Sequence, residues 1–186
     1  MNKVYIYLLL FFLLPLTKDW AQGNNIYKLK SGNVVFYSHS SQELIHASSN
    51  QLRGAIDLRK KTFAFKLSIV SFVGFNSELQ REHFNENYME TSIFPDATYV
   101  GKIIEDIDML KDGAYDVRTK GKLKIHGVEQ ERIIKSHITC KDGTITIQSD
   151  FNVLLSDYNI KIPRVVDNKI SNNINVSVDA IFAPST

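Results

Sequence analysis

Few side chains in this sequence are equipped for chemistry, and their spacing is the first thing to weigh. Its five histidines are His39, His46, His83, His126 and His137. A metal centre draws on pairs such as H-x-H or H-x-x-x-H, or on histidine beside cysteine, because short spacings aim both ligands at one ion. None of the five stands in such a pair, and the carboxylates are scattered. Covalent catalysis needs a nucleophile, a base and an orienting group, and no G-x-S-x-G context occurs. Cys140, the only cysteine, ends an alternating apolar run and reads as a buried, inert thiol; alone, it cannot close an internal disulfide. The densest polar cluster is Arg81-Glu82-His83. Neighbours on a helix fan apart by about 100° each, so these three cannot converge on one atom without outside partners. The reading is a non-enzymatic protein with no catalytic residue, no metal and no cofactor.

The elements that would position these groups are nearly all strands. Phe75–Tyr99 is the exception: Ser77 followed by Gln80 forms a capping box, and Leu79 to Tyr88 carries strong helix formers. A short helical insert is expected around residues 77–91, ending before Pro95, which pushes the residue ahead of it out of the helical region. Strands are expected over 25–38 (with a bend or turn at Ser31-Gly32-Asn33), 51–58, 62–70, 98–104, 114–125, 129–140, 144–153 and 174–182. Tyr115, Val117, Thr119, Gly121, Leu123 and Ile125 face one way, and Asp116, Arg118, Lys120, Lys122 and Lys124 the other. Arg132, Ile134, Ser136, Ile138 and Cys140 share a parity in the same manner. Lys141-Asp142-Gly143 marks a hairpin, and His126-Gly127 another turn.

About eight strands with one apolar face each imply either a closed barrel or a two-sheet sandwich. The long strands after position 114 favour the barrel. The fold class is therefore all-β, an antiparallel barrel with a short helical insert. At roughly eight strands the interior holds side chains or one slender ligand.

Met1 to Ala21 reads as a cleaved signal peptide: Lys3 supplies the basic start and Val4–Leu16 the apolar run. That run is too short for a membrane span, which needs roughly 20 residues, so no stable membrane insertion is expected after cleavage. The remaining residues, 22–186, suit one domain, with a periplasmic or secreted location. The formal net charge is +2 with no basic block, which argues against nucleic acid as a partner. A homodimer is compatible with such a barrel.

Three segments resemble the YceI-like family, whose members are lipid- and polyisoprenoid-binding proteins with a lipocalin-like barrel. They are REHFNENYMETSIFPDATY from Arg81 to Tyr99, GKLKIHGVEQE from Gly121 to Glu131, and FNVLLSDYNI from Phe151 to Ile160. The middle one carries the family's G-x-L-x-I-x-G-V pattern through Gly121, Leu123, Ile125, Gly127 and Val128. The first departs from the family form R-D-x-H-L, since Arg81 stands two residues before His83 instead of three. The resemblance implies a carrier of an isoprenoid-like or other amphiphilic lipid, with the tail inside the barrel and the head near its mouth. On this reading Phe63, Phe65, Phe84, Tyr88, Met89, Phe94, Tyr115 and Phe151 line or close the cavity. Arg81 and His83 are candidate head-group contacts. The competing reading is a structural or protein-interaction barrel with a filled core and no ligand; a hydrolase or metal-dependent enzyme is less favoured.

Overall fold

The computed structural model describes residues 25–185. The signal peptide read in residues 1–21 lies outside them.

Nine strands run in chain order: β1 (Ile26–His39), β2 (Leu44–Ser49), β3 (Leu52–Asp57), β4 (Thr62–Ser68), β5 (Asp96–Ile103), β6 (Gly113–Ile125), β7 (Val128–Lys141), β8 (Thr144–Leu154) and β9 (Asn173–Pro184). All pairings are antiparallel, and β9 returns to pair with β1, which closes the sheet. β2 was not expected, but it adds no new wall. It pairs Ser49 with Val34 of β1, and β3 pairs Ala55 with Lys28 in the same register, so β2 and β3 are one interrupted strand. The result is an eight-walled antiparallel barrel with no free edge along most of its girth, the arrangement that satisfies backbone donors without a second sheet.

Ser31-Gly32-Asn33 does not end a strand. β1 is continuous across it, and the register against β9 slips between Leu29 and Ser31. A β-bulge of this kind bends the strand without breaking it. Strand β4 stops at Ser68 instead of reaching Val70, because Ile69–Ser71 forms a 3-10 turn. Both expected hairpin turns are present: His126 and Gly127 have φ of 50° and 74°, and Asp142 and Gly143 have 49° and 71°. Two consecutive positive φ values match the right-handed twist of the flanking strands.

The inward residues form two apolar clusters, one at each end. Ile56, Phe63, Val117, Ile138, Ile145 and Phe182 fill one end, where Met109 from the β5–β6 loop is buried and seals it. Val34, Leu67, Phe72, Met89, Leu123 and Tyr158 form the other, beneath the helical insert.

One backbone contact fixes the wall between β5 and β6. Gly101 lies directly opposite Gly121. A Cβ on Gly121 would sit 2.5 Å from the Val100 carbonyl oxygen and 2.8 Å from the Tyr99 ring. Gly121→Ala should therefore destabilise the protein by about 1–3 kcal/mol through overpacking. A urea midpoint equal to that of the unaltered protein would show that the wall has room to give.

Candidate functional site

The helical insert is built and tied down by its own polar residues. Helix α1 (Glu78–His83) starts at Ser77, whose Oγ accepts from the Gln80 N–H at 3.1 Å. Gln80 Oε1 reaches back to the Asn76 N–H at 3.1 Å, one residue before the cap. Glu43 Oε1, in the β1–β2 loop, accepts from Asn76 Nδ2 and Gln80 Nε2 at 3.0 Å each. This network holds the start of the insert to the barrel rim.

α1 then widens into a single π-turn, Phe84–Tyr88, closed by Met89 N–H donating to the Phe84 carbonyl at 2.9 Å. An i→i+5 turn brings residue i+5 over residue i. Phe84, Tyr88 and Met89 thereby share the face that looks down the barrel, and all three line its cavity. The Phe84 ring packs with Phe36, Phe72 and Phe75 at centroid distances of 5.5, 5.9 and 5.0 Å. At the far end of the insert Glu90 Oε2 lies 2.7 Å from His126 Nε2, while His126 Nδ1–H donates to the Tyr158 carbonyl at 3.1 Å. His126 therefore links the insert, the β6–β7 turn and the Tyr158 loop.

Inside the barrel is a cavity of about 430 Å³. This falls in the size range of small-molecule sites, roughly 300–1,000 Å³. It runs from Leu79, His83 and Lys169 at the mouth to Ile56, Phe63 and Ala180 near the closed end. Its wall is overwhelmingly apolar. Midway lie four hydroxyls: Tyr99 with Thr119, 2.9 Å apart, and Ser149 with Ser136, 2.7 Å apart. Burial pushes the Tyr99 phenol up, opposed by its bond to Thr119 and by the Arg132 charge. Burial likewise raises the Tyr88 phenol, so both stay protonated and neutral through physiological pH.

The wall has a seam between β7 and β8. The β7–β8 ladder runs from Lys141–Thr144 only as far as His137–Gln148. Beyond it side chains of β7 take over, with Arg132 Nη2 donating to the Asn152 carbonyl of β8 at 2.6 Å and Gln130 Nε2 to the Asp157 carbonyl, in the 3-10 turn that follows β8, at 3.0 Å. The inward parity of Arg132 is explained by this: its guanidinium replaces ladder bonds that the diverging strands cannot make.

Of the residues expected at the site, Phe63, Phe65, Phe84, Tyr88, Met89, Phe151 and His83 lie on the cavity wall. Three do not. Phe94 packs edge-on against His126 at 4.5 Å and covers Gly127, because the chain has already left the mouth by Pro95. Tyr115 sits at the sealed end, where its hydroxyl donates to the Asp108 carbonyl at 3.4 Å. Arg81 lies off the wall on α1, 3.8 Å from Glu78. Sequence reasoning missed Phe36 and Phe72, and also Val166, Lys169 and Ile170, which reach the mouth from an irregular segment without periodicity. Among the described residues no three His, Cys, Asp or Glu side chains gather as a metal set.

This placement ranks the insert's residues. Tyr88→Ala with Met89→Ala should lower the affinity for a fluorescent fatty acid by roughly tenfold, since losing about 1.4 kcal/mol of apolar contact suffices. Arg81→Ala should change it by less than about twofold. The reverse ranking in a titration would move the site to the polar face of α1.

The fold recurs among known structures. A polyisoprenoid binding domain from Saccharophagus degradans superposes with a TM-score of 0.74 at 16% identity, covering 86% of this chain and 98% of that one. BcnA of Burkholderia cenocepacia superposes with a TM-score of 0.68 at 14% identity, covering 81% and 95%. At such identities the likeness is one of fold. No curated protein sequence matches the chain. The profile of the YceI-like domain, however, matches residues 27–182, from the second residue of β1 to within two residues of the end of β9, and includes the insert and both glycine-turn motifs. An eight-walled barrel with an apolar cavity under a helical insert, matched by that profile along its length, places the chain in the YceI-like family.

Proposed function

We propose that this protein is a binding or carrier protein that holds one isoprenoid-like or other amphiphilic lipid in its barrel, tail inward, after export to the periplasm or the cell exterior. The observation that carries the reading is the continuous apolar cavity of about 430 Å³ reaching from the insert to the sealed end. A barrel serving only as a scaffold has no reason to leave such a volume empty, because unfilled apolar space costs packing energy. Each methylene transferred from water contributes about 0.8 kcal/mol, so a few isoprene units offset the cost of ordering the tail. Polyisoprenoid binding by the structurally similar Saccharophagus domain supports the same ligand class. Export rests on the apolar run near the N-terminus. The test is native mass spectrometry of protein purified from its own cell envelope. A stoichiometric lipid adduct is expected. Its repeated absence, in both envelope and soluble fractions, would sink the carrier reading.

A further inference from the structure

The Ser136 and Ser149 side chains face the cavity at the level where the β7–β8 ladder stops. Their oxygens are 2.7 Å apart. Two hydroxyls bring two protons, and a single bond between them uses one. Among the described residues neither oxygen has another partner, so one O–H donor remains unused. Ser136 is only 8% exposed. A buried donor without an acceptor carries its full desolvation cost. The neighbouring pair is different: Thr119 Oγ1 donates to the Ile134 carbonyl at 3.2 Å, and Tyr99 finds its acceptor at Thr119. That pair is closed and asks for nothing.

The wall around the open pair is apolar. Ile134 and Ile138 flank Ser136 on β7, Ile147 and Phe151 flank Ser149 on β8, and Val178 of β9 stands opposite Ser149. A buried water needs two to four polar partners, and beyond the two serine oxygens these neighbouring side chains offer none. The charged lining residues Glu43, Lys66 and Lys169, with His83, belong to segments at the mouth end.

We propose that the Ser136–Ser149 pair is a recognition point for a neutral oxygen acceptor, a ketone, ester or amide carbonyl, on the buried part of an otherwise apolar ligand. This rests on the carrier reading and narrows its ligand class. A pure hydrocarbon tail leaves the donor unsatisfied, whereas a carbonyl at the right depth accepts from it. The pair therefore selects for where along the chain the oxygen sits.

The test is displacement of a cavity-bound fluorescent fatty acid by hexadecane and by hexadecanones with the carbonyl at carbon 2, 4, 6 or 8. In the unaltered protein one ketone should bind roughly three- to tenfold better than hexadecane, the range expected of one neutral hydrogen bond. In Ser136→Ala/Ser149→Ala that advantage should vanish while hexadecane binds as well or better. Ser136→Ala alone releases the Ser149 O–H and still leaves one free donor, so it should keep a preference for a ketone. Loss of that preference in the single variant would count against the pair. The positional scan in the unaltered protein keeps the test usable if the double variant folds poorly. No positional preference in the unaltered protein, or a preference untouched by the double substitution, overturns the proposal. Loss of all binding, the reporter's included, refutes the carrier reading itself, and the inference falls with it.

Discussion

Val178→Trp is expected to abolish lipid binding, lowering reporter affinity by about 100-fold or more, while leaving the fold intact. Val178 lines the cavity from β9 and is half-buried, in contact with both apolar clusters. It stands between Val34 of β1 and Ser149 of β8, at mid-barrel. An indole there occupies the path that any tail must take. Overpacking normally costs about 1–3 kcal/mol, but only where no room exists, and here the added ring enters empty space. The melting temperature should therefore stay within a few degrees of the unaltered protein. Reporter titration together with calorimetry checks both halves. Unchanged affinity in a folded variant would mean that ligands do not bind along this axis.

Phe182→Ala should have the largest effect on stability. Its side chain is fully buried at the sealed end and meets the Phe65 ring edge-on at 5.7 Å. It lies opposite Leu29 on one side and Ile145 on the other, so three walls lean on it. Removing a buried phenylalanine costs about 3–5 kcal/mol, the lost transfer energy plus that of the void left behind. Against a typical total of 5–15 kcal/mol this is severe, and the urea midpoint should fall accordingly. A loss below about 1 kcal/mol would show that the sealed end is loosely packed. The contrast with Val178→Trp is instructive: one position is core and the other is site, although both are inward residues of the same strand.

That contrast marks the boundary of what alternation can tell. Inward parity was legible for β6, β7 and β8 residue by residue, because a strand's side chains alternate strictly and a half-buried wall records this in its sequence. Ser77 and Gln80 announced the helix start through local hydrogen bonding. β2 escaped notice because Leu44–Ser49 is only six residues with two inward apolar side chains, Ile45 and Ala47, too few to display a period, and only its pairing with β1 makes it a strand. Phe94 and Tyr115 were misplaced for a related reason. Both are apolar residues at plausible positions, but one turns onto His126 and the other onto the Asp108 loop.

By itself the sequence determined the class of fold, the inward and outward faces, the turns and the family, since all of these follow from local periodicity and short motifs. The tertiary structure alone decided which inward side chains fill the core and which border empty space, because that depends on how eight walls close around a volume. It also decided that Ser136 and Ser149, unremarkable in separate strands, meet across the seam with one proton to spare. The physical reason is the same in each case. Burial pattern is written in one strand at a time, whereas a cavity and an unpaired donor are properties of several strands brought together.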